Sequence, residues 1–181
     1  IPARNETVND EYKKYIKDNY QAIKNLIKST PTGHAFYFSS QSALDVSKRE
    51  RKKIYENGWL KGGLGFRGLF KDLTTNLDAN KTVVNFIKEK IKETLQNKNY
   101  AKVVTSFNYP FATRRPTLNT NYYETFNKDN VELIDISSDT IKEITENGIK
   151  TKKNNYEFDI IVLATGYDAI TGALLSIDLV G

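Results

Sequence analysis

The chain has 181 residues, of which 39% are hydrophobic and 27% are charged, and its formal net charge is +5. This length and composition suffice for one domain, or for two small ones, with a buried core. The sequence contains no cysteine and only one histidine, His34, which argues against disulfides, thiolate or histidine metal sites and a Ser-His-Asp triad, so we expect no bound metal.

The first residues predict an extended segment followed by a helix. Ile1–Asn5 is expected to be extended, because Pro2 keeps the residue before it out of the helical region. Apolar and aromatic residues then recur at three- and four-residue spacing, which predicts a helix with Asn9 or Asp10 as its N-cap and Pro31 beyond its end. The recurring residues are Tyr12, Tyr15, Ile16, Tyr20, Ile23, Leu26 and Ile27.

Two further helices are expected before residue 100. The short aromatic stretch at 35–38 should pack on them. Ser47 and Glu50 have the spacing of a capping box, so a second helix should begin there and end at Gly62. A third is predicted from about Asp78 to Asn97. Its apolar positions are Val83, Val84, Ile87, Ile91 and Leu95.

Residues 63–68 read GLGFRG, which matches the letters of the dinucleotide-binding motif G-x-G-x-x-G. A working motif follows a buried strand and opens a helix, because the phosphate binds free N–H groups at the N-terminus of that helix. The residues before it form a charged amphipathic stretch instead. We therefore interpret 63–68 as a mobile glycine-rich loop and the match as accidental.

The second half predicts strands. Val131–Ile136 alternates as a strand does, and the segment from 141 to 151 holds Asn147 and Gly148, a strong hairpin signal. The segment from 156 to 163 ends in Ile-Ile-Val-Leu, which is typical of a strand buried on both faces of a parallel sheet. Ala164, Thr165 and Gly166 follow its carboxyl end, the edge where open α/β sheets bind ligands.

The densest candidate site is the loop from Tyr109 to Pro116, which contains the adjacent residues Arg114 and Arg115. Arginine stays charged at any working pH and presents a planar fork of donors, which suits a phosphate or a developing oxyanion. From these residues alone, an ordinary surface pair is the favoured interpretation.

Context for this pair comes from the surrounding motifs. Arg114-Arg115-Pro116, the Tyr-Tyr-Glu at 122–124 and the Asn-x-x-Asn-Val at 127–131 resemble a stretch of Baeyer-Villiger monooxygenases. Downstream, ATGYDAITG at 164–172 is similar to that family's ATGFDAxTG signature. Upstream, matches are found at IPARN in 1–5, Val46-Ser47, Glu50-Arg51 and Trp59-x-x-Gly62-Gly63. The resemblance is collinear over essentially the whole chain.

This resemblance implies a mixed α/β fold. Residues 1–100 would be a helical insertion subdomain in which Trp59 and the glycine loop serve packing and mobility. Residues 101–181 would contain the hairpin and buried strands that close a partial Rossmann-type NADP domain and run into the FAD-domain junction. The activity implied is that of a flavoprotein that uses FAD, NADPH and O2 to convert ketones to esters or lactones.

The resemblance also implies roles for individual residues. Arg115 would be catalytic, because its family counterpart lies over the flavin and stabilises anionic species formed during oxygenation. Arg114 would bind the 2′-phosphate of NADPH. The other implied cofactor-binding residues are Ala164, Thr165, Gly166 and Asp168, although Asp168 could equally serve the structure of its loop.

The chain starts at Ile1 without any methionine and lacks both dinucleotide motifs of the family, so we expect a piece of a longer enzyme. Alone, it should be inactive and retain neither FAD nor NADPH; the missing FAD and NADP Rossmann segments would be its partners. Because no signal peptide or apolar run of about 20 residues is present, we expect a cytoplasmic protein without membrane contact.

The distribution of charge supports one alternative hypothesis, in which the chain is a binding module and not part of an enzyme. Residues 1–100 hold 19 Lys and Arg against 11 Asp and Glu, whereas residues 101–181 hold 8 against 11. A basic helical module that binds an anionic partner such as nucleic acid is therefore a second hypothesis. No nucleic-acid-binding motif accompanies the charge, and interspersed lysines also occur on simple solvated helix faces, so we expect no nucleic acid under the first hypothesis.

Overall fold

The structure is a computed structural model that describes residues 1–166 and 171–178. The chain divides into two compact units, Ile1–Leu133 and Ile134–Gly181. Helices dominate the first unit, which confirms the prediction for the first hundred residues. They are α1 (Asp10–Asp18), α2 (Tyr20–Ser29), α3 (Lys48–Lys61), a 3₁₀ helix (Leu64–Gly68), α4 (Leu77–Thr94), α5 (Lys98–Val104) and α6 (Tyr122–Thr125).

The helix predicted before Pro31 is present but interrupted. Asn9 caps its beginning, since the Asn9 side chain accepts a hydrogen bond of 2.8 Å from Tyr12 N. The helix then breaks at Asn19 into α1 and α2. The Asn19 amide donates to Tyr15 O at 2.9 Å, and such side-chain bonds to a nearby carbonyl compete with the helical backbone.

Local caps also set the ends of the later helices. Ser47 Oγ accepts from Glu50 N at 3.2 Å, which confirms the predicted start of α3. Helix α4 is capped by Asn76, two residues before the predicted Asp78. Asn97, predicted to lie at the end of α4, instead caps a further helix, α5, which the apolar pattern did not reveal.

Aromatic rings form the core of the first unit. Phe66 of the 3₁₀ helix is 1% exposed, and its ring lies 5.8 Å from Trp59, 6.1 Å from Tyr55 and 6.2 Å from Phe86, measured between ring centroids. The segment GLGFRG is therefore a 3₁₀ helix anchored by its phenylalanine, which corrects the expectation of a mobile loop. Phe70 and Leu73 complete the centre of this core.

The second unit contains a three-stranded antiparallel sheet with the order β1 (Ile141–Thr145), β2 (Gly148–Thr151) and β3 (Asn155–Glu157). A short helix, α7 (Gly172–Leu175), follows. Thr145 pairs with Gly148, which confirms the predicted hairpin.

One strand prediction is wrong, and the strand predicted at 156–163 is confirmed only at its start, where Tyr156 and Glu157 belong to β3. Val131–Ile136 has no strand in the structure. The apolar run at 160–163 lies outside the sheet, and Ile160, Val162 and Leu163 are 79%, 82% and 71% exposed. A strand needs a neighbour to satisfy its backbone groups, and β3 forms the edge of the sheet among the described residues, so nothing there pairs with this run or buries it.

Residues 1–166 and 171–178 contain neither a membrane-spanning helix nor a cluster of metal ligands. None of their helices combines the length and apolar character needed to cross a membrane. No cluster of three or more His, Asp or Glu side chains in this part of the chain could hold a metal ion, and His34 instead contacts Thr32 O through Nδ1 at 2.7 Å.

The two glycines after α3 provide a matched test of packing. Gly62 and Gly63 have φ values of +67° and +71° with extended ψ, a conformation nearly restricted to glycine. A Cβ on Gly62 would lie 2.5 Å from Pro2 O and against Arg4, whereas a Cβ on Gly63 would meet nothing within 4 Å. Backbone strain should lower the free energy of unfolding by about 1–3 kcal/mol in both Gly62→Ala and Gly63→Ala.

We expect the free energy of unfolding to fall more in Gly62→Ala than in Gly63→Ala, because only the new Cβ at position 62 would push the N-terminal segment away. Urea denaturation of the two variants, followed by circular dichroism, measures the difference. Equal losses would show that the contact with Pro2 does not constrain Gly62.

Asp72 provides a test of pH dependence. Burial raises the pKa of its carboxyl, but hydrogen bonds donated by Ser42 Oγ and Ala43 N lower it, and the net shift is downward. Because folding lowers this pKa, the stabilisation is complete above the pKa of the unfolded chain, about 3.9, and is lost as the pH falls through the folded value.

Asp72→Asn should therefore lower the free energy of unfolding by about 1 kcal/mol at pH 7, since neutral hydrogen bonds replace charge-assisted ones. The difference from the unaltered chain should shrink between pH 7 and pH 3, because the stabilisation is lost as the pH falls through the folded pKa of the carboxyl. Urea midpoints at both pH values test this, and a difference that does not change with pH would contradict it.

Candidate active site

Residues 105–121, here called the arginine loop, connect α5 to α6 and contain the predicted arginine pair. Both of its ends are attached to the rest of the first unit. Lys88 Nζ donates to Phe107 O at 2.8 Å. At the other end, Asn119 N donates to Ile1 O and Ala3 N donates to Asn119 O, both at 2.9 Å, as a short parallel bridge.

A turn in the middle of this loop is held by a buried amide on α4. Asn80 is 5% exposed, and its Oδ1 accepts from Phe111 N at 2.8 Å while its Nδ2 donates to Phe111 O at 3.0 Å. Asn80 Nδ2 also donates to Leu73 O at 2.6 Å. Ala112, the next residue of the loop, has a left-handed φ of +66°. Thr113 Oγ1 then donates back to Pro110 O at 2.8 Å.

Arg114 lies on an aromatic ring. Its guanidinium carbon is 4.5 Å from the centre of the Tyr109 ring, while the side chain as a whole is exposed. Stacking on a ring uses the face of the guanidinium and leaves its N–H groups, which point outward in the plane, free to donate. Tyr109 therefore restricts the position of Arg114 without consuming its donors.

Arg115 is exposed and lies at the rim of two shallow cavities. One has a volume of about 270 Å³ and an apolar floor that includes Val84, Ile87 and Phe107. The other has a volume of about 320 Å³ and is lined by Leu64 together with Arg115–Leu118. A small or flat molecule at either cavity would have a positive charge at its edge.

No acidic side chain neutralises this pair within the described part of the chain. Neither guanidinium has a carboxylate oxygen within 4.0 Å there, and the described residues that line the two cavities include no Asp or Glu. Two like charges on consecutive residues repel each other, so an anion that binds both would relieve that repulsion. The loop is suited to a phosphate or a developing oxyanion.

The other predicted site residues belong to the second unit. Ala164, Thr165 and Gly166 are exposed and have no regular secondary structure. Gly166 has a φ of +89°, and a Cβ there would meet nothing within 4 Å, so its backbone conformation rather than a close approach favours glycine. Asp168 lies outside the described residues.

Sequence reasoning missed Asn80 and Tyr109. A signal for Asn80 was present, because it lies one turn before Val83 and Val84 and so continues the apolar stripe of α4 with an amide. A polar residue on a buried stripe must find hydrogen-bond partners. Its partner in the arginine loop, however, is 31 residues away and carries no pattern of its own.

Comparison with known proteins was made for sequence and for structure. No protein-family model matches the chain. It is 38% identical over 185 residues to cyclohexanone 1,2-monooxygenase of Acinetobacter sp., covering 100% of this chain and 34% of that protein. It is 36% identical over 185 residues to a Baeyer-Villiger monooxygenase of Pseudooceanicola batsensis, covering 100% and 33%.

The fold agrees with these relatives. The crystal structure of OTEMO in complex with FAD and NADP matches with a TM-score of 0.92 at 35% identity, over 98% of this chain and 33% of that one. The chain thus spans about a third of the length of the relatives it matches. By sequence and by fold, this chain is homologous over its whole length to the Baeyer-Villiger monooxygenases, of which it corresponds to about one third.

Proposed function

We propose that the protein containing this chain is an FAD- and NADPH-dependent Baeyer-Villiger monooxygenase, and that the arginine loop contributes to its active site. In this reaction a ketone, O2, NADPH and a proton give an ester or lactone, NADP⁺ and water. Bound FAD would supply the electron transfer from NADPH to O2. The observation that carries the proposal is the pair of exposed arginines, which have no acidic partner among the described residues, on a loop fixed at both ends.

Arg114 fits the 2′-phosphate of NADPH. Its guanidinium rests on the Tyr109 ring, and its N–H groups are free to donate to phosphate oxygens. A phosphate dianion at this position would replace the missing carboxylate partner. The same side chain would then favour NADPH over NADH, which has no 2′-phosphate.

Arg115 fits a catalytic role because its charge is permanent and has no carboxylate partner in the part of the chain that the structure describes. Negative charge develops on the reacting oxygen atoms while oxygen is inserted beside the carbonyl carbon. A preorganised cation stabilises such charge without reorganising during the step, and one such group typically contributes about 3–4 kcal/mol. Ala164, Thr165, Gly166 and Asp168 are proposed to contact the cofactors.

Two further parts of the proposal concern the setting and the partners. The complete enzyme would work in the cytoplasm, with its own FAD and NADP Rossmann segments completing the domain that residues 101–181 close. The 181-residue chain alone would turn over no ketone. Nothing in the arginine loop or among the relatives described above favours the alternative of a nucleic-acid-binding module.

The catalytic proposal is tested by Arg115→Ala in the full-length enzyme that carries this chain. We expect ester formation to fall at least about 100-fold, because a charge aimed at the developing oxyanion is removed. Flavin reduction by NADPH should change much less. Stopped-flow absorbance follows reduction and gas chromatography follows the ester; a normal ester yield would refute the assignment.

The cofactor proposal is tested by Arg114→Ala, with the exposed Arg49→Ala on α3 as a matched control. Loss of charge-assisted hydrogen bonds worth about 1.5–3 kcal/mol should raise the KM for NADPH roughly 10- to 100-fold and leave the KM for NADH unchanged. Steady-state kinetics with both nucleotides provide the measurement. An equal increase for NADH would mean that Arg114 does not contact the 2′-phosphate.

A further inference from the structure

We infer that Asn80 is a positioning residue for Arg115, and that its buried amide sets the direction in which the arginine pair leaves the core. This inference rests on the proposed function, because it assigns Asn80 a part in oxygen insertion through Arg115. Asn80 would touch neither substrate nor cofactor. It would act through the turn at Pro110–Thr113.

The first step is the pairing of one amide with one backbone unit. Asn80 bonds both the N–H and the carbonyl of Phe111, and its remaining donor reaches Leu73 O. Rotation of the Phe111 backbone would therefore break two hydrogen bonds at once inside the core, where unsatisfied polar groups cost about 1–3 kcal/mol each. Both backbone polar groups of Phe111 are thus paired with one buried side chain.

The second step is the left-handed residue that follows. Ala112 has a φ of +66°, which costs about 1–2 kcal/mol for a residue with a Cβ. Such a conformation persists only where the surroundings impose it. The Asn80 bonds precede Ala112 directly, and the bonds from Thr113 N and Oγ1 to Pro110 O follow it, so the strain is held from both sides.

The conformation of Ala112 affects the position of the arginine pair. Arg115 is three residues beyond Ala112, so a change of φ at Ala112 from positive to negative would redirect the chain before it reaches Arg115. A displacement of about 1 Å at a catalytic group can cost on the order of 100-fold in rate. The Phe111 ring packs edge-on against Phe66 at 6.2 Å between ring centroids, a contact that does not involve the Asn80 side chain. Loss of the amide should thus free the turn while the ring stays in the core.

The test uses the full-length enzyme and measures coupling, the amount of ester formed per NADPH oxidised. Asn80→Ala should lower coupling at least about tenfold, while FAD content and the rate of flavin reduction stay within about threefold. Ala112→Gly should restore much of the coupling in the Asn80→Ala background, because glycine adopts a positive φ without strain. Purely structural damage would lower FAD content and reduction together and would not be rescued.

Asp139→Asn is the matched control, since it also weakens a buried bond between a side chain and the backbone, that from Lys153 N, but belongs to the second unit. Its coupling should be unchanged. If Asn80→Ala does not fold, Ala112→Val tests the same step, because a β-branched residue disfavours positive φ and should lower coupling with Asn80 intact.

Arg115→Ala in the same assay separates the two proposals. Low coupling in Arg115→Ala with normal coupling in Asn80→Ala and Ala112→Val would overturn the positioning role alone. Normal coupling in Arg115→Ala would overturn the proposed function itself. Failure of Ala112→Gly to rescue Asn80→Ala would also contradict the positioning role.

Discussion

The first unit depends on the burial of one ring, that of Phe66. Its neighbours come from three separate segments: Tyr55 and Trp59 from α3, Phe86 from α4 and Phe111 from the arginine loop. Each aromatic pair contributes about 0.5–1.5 kcal/mol beyond the area it buries. Because Phe66 lies within GLGFRG, this segment serves packing: a Cβ on the neighbouring Gly68 would lie only 3.0 Å from Tyr37 O. Of the three glycines that resemble a phosphate loop, Gly68 therefore allows a close backbone approach, whereas a Cβ on Gly63 would meet nothing within 4 Å.

Motifs far apart in the sequence meet around this core. Gly63 N donates to Pro2 O, and Arg4 Nε donates to Leu60 O, so the IPARN segment and the Trp59-x-x-Gly62-Gly63 segment are two sides of one contact. The same N-terminal segment pairs with Asn119 at the end of the arginine loop. Several stretches that resemble the family therefore hold the ends of the loop, whereas Arg114 and Arg115 themselves are exposed and form no ion pair within residues 1–166 and 171–178.

Several elements that depend on contacts between residues close in sequence were predicted correctly, whereas elements that depend on distant contacts were not. The start of α3 at Ser47 and the hairpin at Asn147-Gly148 rest on contacts within a few residues, and both were predicted. The segment at 131–136 was predicted as a strand from its alternating pattern and the run at 160–163 from its apolar residues, yet a strand forms only beside another strand. The break at Asn19 was also missed, because the helical spacing of apolar residues continues across it. The helix is interrupted there by the hydrogen bond from the Asn19 side chain to Tyr15 O.

The sequence by itself determined the three long helical segments before residue 100, the caps at Asn9 and Ser47, the hairpin, and the presence of two adjacent cations in a proline-bounded loop, because each depends on residue types and spacing within a few positions. Only the tertiary structure decided how those cations are held. Asn80 pairs with Phe111, which is 31 residues away, and Phe111 packs on Phe66, which is farther away still. Ala112, the residue after Phe111, has a positive φ in this setting. No local pattern encodes such meetings, since they exist only once the core has brought α4 and the arginine loop together.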